Sequence, residues 1–91
     1  MIKAENMTGN SGRAIANQLI IRDAKGTYFQ SYDSVIAFVP YDSTKKTRLD
    51  KYKWDYSPTT GKYRNLFLRE NKKETERKIK EGFYVLTDLN K

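Results

Sequence analysis

Three apolar runs separated by short polar connections constrain the fold more than any other feature of this sequence. They occupy residues 19–21, 28–32 and 35–39 and are rich in the β-branched and aromatic side chains that favour strands. Gly26 lies in the first connection, where it can supply the positive φ angle that a tight hairpin needs. The spacing therefore predicts three consecutive strands that pair as an antiparallel meander.

A first helix is predicted after the meander, over residues 58–69. Ser57 is followed by Pro58, which is typical of a helix start, because the serine oxygen accepts a free amide and proline loses no hydrogen bond there. Within this segment, Tyr63, Leu66 and Phe67 recur at i, i+3 and i+4, the spacing of one helical face. We expect that face to pack on the sheet.

A second helix is predicted over residues 72–81. Asn71 and Glu74 have the spacing of a capping box at its start. Gly82 is typical of the left-handed residue that ends a helix. The apolar residues 83–86 then predict a final strand that returns to the sheet.

Residues 47–49 predict a short edge strand, which the basic pair Lys45 and Lys46 precedes. The chain is thus predicted to be an α+β domain, in which two helices pack on a small antiparallel sheet. That sheet combines the three-strand meander, the short edge strand and the C-terminal strand. The domain is assigned to residues 15–91, whereas residues 1–14 are rich in Asn, Ser, Gly and Thr and predict a flexible N-terminal arm.

The sequence contains no His and no Cys, which excludes most mechanisms of neutral-pH catalysis. The common general base, a thiolate nucleophile, disulfides and the usual zinc ligands are all missing. Carboxylates remain at Asp50, Asp55 and Glu70, for which ion pairing or helix capping is the favoured role and hydrolysis a minor alternative. We therefore expect a protein that is not an enzyme and that holds no cofactor and no metal ion.

Positive charge dominates the second half of the chain. The formal net charge is +7, and residues 42–91 carry 14 basic against 8 acidic side chains. Such a surplus favours encounters with nucleic acid or an acidic protein surface, although a solvated surface explains it equally well. No apolar stretch approaches the about 20 residues of a membrane span, and no secretory signal is recognisable. We expect a cytoplasmic protein with no membrane partner.

Six cations are candidates for contacts to nucleic acid or to an acidic partner surface. They are Lys45, Lys46, Arg48, Lys62, Arg64 and Arg69. Helical periodicity predicts that Lys62 and Arg64 are exposed, which makes them better contact candidates than the neighbouring Trp54.

Uncharged residues add two further candidate sites. Strand alternation places Tyr28 and Tyr32 on one face of the sheet, where they would either stack on bases or belong to the core. Ser57, Thr59 and Thr60 form a candidate anion seat, because a helix start offers free amides and hydroxyls. The alternative for this second set is simple capping of the helix and packing beneath it.

Many of the same residues carry a family resemblance. They are residues 28–32, Ile36, Ala37, Leu49, Asp50, residues 54–57, Thr60, residues 62–65, Phe67, Leu68, Glu74, Thr75, Lys78, Ile79, Gly82, Leu89 and Asn90. With this pattern, the chain from Asn17 onward resembles a family of short uncharacterised proteins encoded by phages and other mobile elements of Gram-positive bacteria. The resemblance implies a genomic setting and no particular activity.

That setting suggests two functions for a basic protein without catalytic residues. The first is a stoichiometric inhibitor of a host nucleic-acid enzyme such as a CRISPR or other defence nuclease, an anti-CRISPR or anti-defence role. The second is a basic DNA- or RNA-binding accessory protein of phage replication or transcription. The partner is expected to be a host protein, a nucleoprotein complex or nucleic acid itself.

Overall fold

The computed structural model describes residues 2–9 and 12–91. In this part of the chain the strands are β1 (Lys3–Thr8), β2 (Ala14–Arg22), β3 (Gly26–Ser31), β4 (Ser34–Pro40), β5 (Thr47–Asp50) and β6 (Tyr84–Thr87), and the helices are α1 (Pro58–Leu68) and α2 (Lys72–Lys80). This arrangement confirms the predicted α+β class. Neither described helix has the length and apolar character that a membrane crossing requires.

All the described strands belong to one sheet, in which the spatial order follows the chain order from β1 to β6. Neighbours up to β5 pair antiparallel, because short connections return the chain beside itself. β5 and β6 are parallel, since α1 and α2 lie between them and form the crossover. The sheet is therefore mixed, whereas the sequence predicts an antiparallel one. The strand predicted at residues 47–49 thus forms as β5, but the prediction that it is an edge strand is wrong, because β6 lies beyond it.

β1 lies at the other edge of the sheet and pairs with β2, for example through Ala4 opposite Ile21. The sequence predicts a flexible arm over residues 1–14, whereas the structure places Lys3–Thr8 in this strand. The strand shows no alternation of apolar residues because both of its faces are largely exposed, so the sequence pattern does not reveal it. Met1, Asn10 and Ser11, which also fall in the predicted arm, lie outside the described residues.

The core lies between the helices and the face of the sheet that they cover. Phe29, Ile36, Ala37 and Leu49 are completely buried there. Ile36 and Ala37 are consecutive, and both belong to the core because a bulge in β4 interrupts strict alternation. Partly buried side chains complete this core: Met7, Trp54, Tyr63, Phe67, Leu68, Ile79 and Tyr84. Tyr63 and Phe67 thus pack as predicted, but the prediction for Leu66 is wrong, because this side chain is 53% exposed.

α1 begins at the predicted cap. The Ser57 hydroxyl accepts a hydrogen bond from the Thr60 backbone N–H (3.1 Å), and Pro58 occupies the first helical position. The helix ends at Leu68 rather than at Arg69, because Arg69 adopts a left-handed backbone conformation with a φ angle of 59°.

α2 is capped at both ends as predicted. The Asn71 side chain accepts a hydrogen bond from a backbone N–H of the first turn (2.9 Å). At the other end, Gly82 is left-handed with a φ angle of 83°. The N–H groups of Gly82 and Phe83 donate to the carbonyls of Ile79 (3.2 Å) and Lys78 (2.8 Å). These two bonds satisfy carbonyl groups that the last turn would otherwise leave free.

Gly26 is required in the structure for a reason other than the predicted one. The positive φ angles among the described glycines belong to Gly12 and Gly82, so the expected conformational role of Gly26 is wrong. Close packing is what requires a glycine here. A Cβ atom at position 26 would lie 2.4 Å from the Val39 carbonyl oxygen and 2.6 Å from Phe38 Cε1.

The substitution Gly26→Ala is expected to destabilise the fold by about 2 kcal/mol, because such overpacking forces the backbone to shift. Gly9→Ala is the matched control, since a Cβ atom at position 9 would make only ordinary contacts, the nearest 3.7 Å from Ile15 Cδ1. Urea unfolding of the wild type and both variants measures the difference. Equal stabilities of the two variants would contradict the steric role of Gly26.

Candidate functional site

The face of the sheet opposite the helices carries its own row of side chains. Strand alternation turns Tyr28, Phe38 and Arg48 away from the core residues next to them in β3, β4 and β5. Tyr28 pairs with Phe38, and Phe38 pairs with Arg48. Ile21 on β2 and Val85 on β6 extend this row at its two ends. We call this surface the open face, because α1 and α2 pack on the other side of the sheet.

Tyr28 and Phe38 form an aromatic pair at the centre of the open face. Their ring centroids lie 4.5 Å apart, and the ring planes are tilted by 31°. Both rings line a groove of about 640 Å³. Pro40, Tyr41 and Leu89 add further apolar surface to its walls. The groove thus presents aromatic surface that no helix covers.

Charged side chains surround the aromatic pair in this groove. Lys25, Lys45 and Arg48 contribute positive charge, and Asp42 and Asp88 contribute negative charge. The Asp42 carboxylate accepts hydrogen bonds from the hydroxyl and the backbone N–H of a nearby threonine, which hold its pKa below the ordinary value. Asp42 is therefore ionised at neutral pH. The three cations still outnumber the two carboxylates that line the groove.

The Tyr28 hydroxyl stays protonated in this environment. Burial raises the pKa of Tyr28, and the nearby negative charge of Asp23 raises it further. Asp23 is held in place because its carboxylate accepts hydrogen bonds from the backbone N–H groups of Lys25 (2.8 Å) and Gly26 (3.1 Å). Tyr28 therefore offers the groove a neutral ring rather than a negative charge.

The groove brings together three of the contact residues predicted from the sequence. Lys45, Arg48 and Tyr28 all line it. Lys46 is exposed but lies elsewhere, because its Nζ atom is close to Gly82 at the end of α2. Adjacent lysines in the sequence therefore reach different parts of the surface.

Tyr32 does not share a strand face with Tyr28, so this prediction is wrong. Tyr32 lies in the turn between β3 and β4 with a φ angle of 58°, and its N–H donates to the Asn17 carbonyl (2.7 Å). Its side chain is exposed. The alternation assumed for residues 28–32 stops at Ser31, because the strand ends there.

Arg64 is buried, although helical periodicity predicts exposure. Its side chain is 1% exposed, and its Nη1 donates to the Trp54 carbonyl (2.8 Å) and to the Asp55 carboxylate (2.9 Å). The guanidinium also lies 5.2 Å from the centroid of the Trp54 ring. The prediction is wrong because it treats α1 alone, whereas the segment before the helix covers this side of it. Arg64 therefore stabilises the fold.

Lys62 and Arg69 lie on α1 and at its end, on the helix side of the sheet. Both residues are exposed, and the Lys62 Nζ lies 5.3 Å from the centroid of the Tyr63 ring. Neither lines the groove of the open face. The six candidate cations are thus distributed over different surfaces instead of forming one patch.

The candidate anion seat at the start of α1 is largely used by the fold itself. The Ser57 hydroxyl caps the helix, and the buried Thr60 hydroxyl shares a hydrogen bond with the Ser31 hydroxyl on β3 (3.0 Å). Thr59 is exposed. These contacts agree with the capping and packing alternative for this set of residues.

Two of the carboxylates considered for catalysis have partners within the chain. Burial raises the pKa of Asp55, but hydrogen bonds from Lys72 (2.7 Å) and Arg64 (2.9 Å) outweigh it, so the pKa lies below its ordinary value. Asp50 is buried and accepts hydrogen bonds from the backbone N–H groups of Tyr52 (3.2 Å) and Leu89 (2.9 Å). Among residues 2–9 and 12–91, no group of three or more acidic side chains is arranged to hold a metal ion.

Glu70 joins the end of α1 to α2 and β6. Its side chain is 5% exposed and accepts hydrogen bonds from Thr75 Oγ1 (2.6 Å), Lys78 Nζ (2.7 Å) and the Tyr84 hydroxyl (2.8 Å). Burial raises the pKa of Glu70, but these three bonds outweigh it and hold the pKa below its ordinary value. Burial and the Glu70 charge in turn raise the pKa of Tyr84 to about 12. Glu70 is thus a structural residue.

Several groove residues are not predicted as site residues from the sequence. Among them are Lys25, Phe38, Asp42 and Asp88. For Phe38 the alternation in β4 is a usable signal, because Ala37 and Phe38 fall on opposite faces. The other three lie outside the strands and reach the groove only through the way the strands are connected, which no local pattern encodes.

Comparison with known sequences gives the family of the chain. The sequence model of the family of unknown function DUF8033 matches residues 2–82. Because the match covers most of the chain, the protein belongs to this family, and the expectation of an uncharacterised family is confirmed. The matched region also includes β1, in which the sequence alone predicts an arm. No curated protein and no solved structure matches the chain.

The substitution Glu70→Gln is expected to lower the free energy of unfolding by about 1–2 kcal/mol at pH 7, because charge-assisted hydrogen bonds are lost. The folded-state pKa of Glu70 is depressed, so its contribution is present above the unfolded pKa of about 4.3 and is lost as the pH falls through the lower folded value. Urea unfolding between pH 7 and low pH measures this. Wild-type stability should fall more steeply below about pH 4 than that of the variant.

Glu76→Gln is the control for this experiment, because Glu76 is exposed on α2. It should have a small effect at pH 7. Parallel pH profiles of the wild type and the Glu70→Gln variant would contradict the role assigned to Glu70.

Proposed function

We propose that the protein is a non-catalytic nucleic-acid-binding protein and that the open face is its contact surface. The observation that carries this proposal is the groove, where Lys25, Lys45 and Arg48 surround an accessible aromatic pair. Cations supply contacts to phosphates, and aromatic rings supply contacts to bases. One surface thus offers both kinds of group.

The distribution of charge supports a polyanionic ligand for this face. The net charge is +7, and several cations on the helix side are neutralised by ion pairs. These pairs are Arg64 and Lys72 with Asp55, Lys78 with Glu70, and Arg77 with Glu74 and Glu81. Lys25, Lys45 and Arg48 form no salt bridge within the described part of the chain and line the groove. Lys62, Lys73 and Lys80 on the helix side are also unpaired among the described residues, but they lie outside the groove. The charge of the three groove cations remains available to phosphates.

The carboxylates support a role without catalysis. Asp50, Asp55 and Glu70 accept hydrogen bonds from their own chain, so they hold the structure together rather than face a substrate. The absence of His and Cys from the sequence removes the other common catalytic groups.

Neutralisation of the groove tests the proposal. The triple variant Lys25→Gln, Lys45→Gln and Arg48→Gln is expected to bind a labelled oligonucleotide about tenfold more weakly at low salt, because phosphate contacts are lost. Fluorescence anisotropy over a range of salt concentrations measures the affinity and its salt dependence. The dependence of affinity on salt should also become less steep in this variant.

A second triple variant is the matched control, because Lys62→Gln, Lys73→Gln and Lys80→Gln remove the same charge from the helix side. It should bind within about threefold of the wild type. Equal losses in the two variants would mean a diffuse charge effect and would contradict a site on the open face. A wild-type protein that binds no oligonucleotide at low salt would refute the proposed function.

Stoichiometric inhibition of a host defence nuclease is a second candidate function, which the resemblance to phage and mobile-element proteins suggests. The observation that favours it is the outer edge of β6. Phe83, Val85 and Leu86 near this edge are 58%, 39% and 38% exposed, and among the described strands β6 pairs only with β5. Exposed apolar edges of this kind accept strands from protein partners.

For this second function, one molar equivalent of the protein is expected to slow DNA cleavage by a susceptible purified defence nuclease. The variant Val85→Lys should need about tenfold more protein for the same inhibition, because it places a charge on the contact edge. Leu66→Lys is the control, since Leu66 is also exposed but lies on α1. If no nuclease of a tested panel is slowed, inhibition is refuted. Inhibition that excess DNA abolishes would instead support direct nucleic-acid binding.

A further inference from the structure

We infer that the open face selects single-stranded nucleic acid, because Tyr28 and Phe38 form a platform on which one unpaired base stacks. This inference rests on the proposed function and narrows its ligand. It differs from general binding of nucleic acid, for which the cations of the groove would be sufficient.

The two rings act as one platform rather than two separate stacking positions. Their centroids are 4.5 Å apart and the planes are tilted by 31°, so the rings are stacked on each other and each covers one face of its partner. A base would therefore stack on a face of this pair that the groove leaves open. A single base stacked on an aromatic ring is the unit of recognition in many proteins that bind single strands. The pair therefore matches one base.

The platform is held in place before any ligand binds. Phe38 packs so closely against Gly26 that a Cβ atom at position 26 would lie 2.6 Å from Phe38 Cε1. Tyr28 lies beside Asp23, which is itself fixed by hydrogen bonds from the backbone of the turn between β2 and β3. Rings that are already ordered lose little conformational entropy on binding, and this favours affinity.

The carboxylates in the groove indicate a base rather than a phosphate above the rings. Asp42 and Asp88 both line the groove and would repel a phosphate there. A base tolerates them, because carboxylates accept hydrogen bonds from the amino groups of bases. One oxygen of each is occupied, since Asp42 Oδ1 accepts from Thr44 and Asp88 Oδ1 accepts from the Asn90 N–H (3.0 Å). The second oxygen of each remains as an acceptor.

The cations are placed to hold the backbone on either side of this base. Arg48 is the neighbour of Phe38 across one strand spacing, which is about 5 Å. Lys25 and Lys45 lie in the connections that border the groove. In a duplex both faces of a base are covered by its stacked neighbours, so only an unpaired base reaches the rings while its phosphates contact these cations.

The test compares a labelled single strand of about 12 nucleotides with a duplex of the same sequence, by fluorescence anisotropy at one low salt concentration. The wild type should bind the single strand about tenfold or more tightly than the duplex, and DNA and RNA single strands serve as separate arms. Tyr28→Leu should weaken single-strand binding about tenfold and leave duplex binding unchanged. Tyr28→Phe keeps the ring and should bind as the wild type does.

Tyr52→Leu is the matched control, because Tyr52 is exposed outside the groove and should not affect binding. Phe38→Leu removes the other ring of the platform and should also weaken single-strand binding. Thermal unfolding verifies that each variant is folded. A measurement on the wild type needs no variant: single-stranded DNA that contains 5-iodouracil should form photo-crosslinks to Tyr28 or Phe38, located by peptide mass spectrometry.

The results separate this inference from the proposed function. If the wild type binds single strands and duplexes equally and crosslinks form only outside Tyr28 and Phe38, the platform is refuted while nucleic-acid binding stands. The same holds if folded Tyr28→Leu and Phe38→Leu variants bind single strands as the wild type does. If no nucleic acid binds at low salt, the proposed function itself fails.

Discussion

The packing of α1 and α2 against one face of the sheet is the interaction on which the rest of the structure depends. The apolar part of this contact is small, with Phe29 stacked on Phe67 at 5.6 Å between ring centroids. Buried polar groups add to it, since Thr60 on α1 reaches a β3 hydroxyl and Glu70 ties both helices to β6. A buried polar group without a hydrogen-bond partner destabilises a protein, so only a helix position that keeps these groups paired is favourable. These hydrogen bonds therefore determine where the helices lie. The opposite face of the sheet remains accessible to solvent.

A local irregularity in β4 links this packing to the candidate site. The bulge allows two consecutive residues, Ile36 and Ala37, to enter the core, after which Phe38 turns to the open face. Phe38 then packs over Gly26 and beside Tyr28. The conformation of β4 therefore determines both the core and the aromatic pair. A substitution that changes the packing of β4 is expected to change side-chain packing on both faces of the sheet.

The charged residues of the protein divide into structural and accessible groups. On the helix side, Arg64 and Lys72 both form ion pairs with Asp55, and Lys78 forms an ion pair with Glu70. These cations stabilise the position of the helices. The cations of the groove have no such partners among the described residues and lie beside aromatic surface. Net charge alone therefore says less about binding than the side of the sheet on which each charge lies.

The sequence by itself determined the elements whose signals are local. The meander, the caps at Ser57 and Asn71 and the α+β class all follow from side-chain patterns and hydrogen bonds within a few residues. Only the tertiary structure decided which elements are neighbours: it placed β5 inside the sheet, added β1 and buried Arg64. It also collected Tyr28, Lys45, Arg48 and the unforeseen groove residues on one face. These outcomes depend on strand pairing and on a crossover between residues far apart in the chain, and a local pattern carries no information about such contacts.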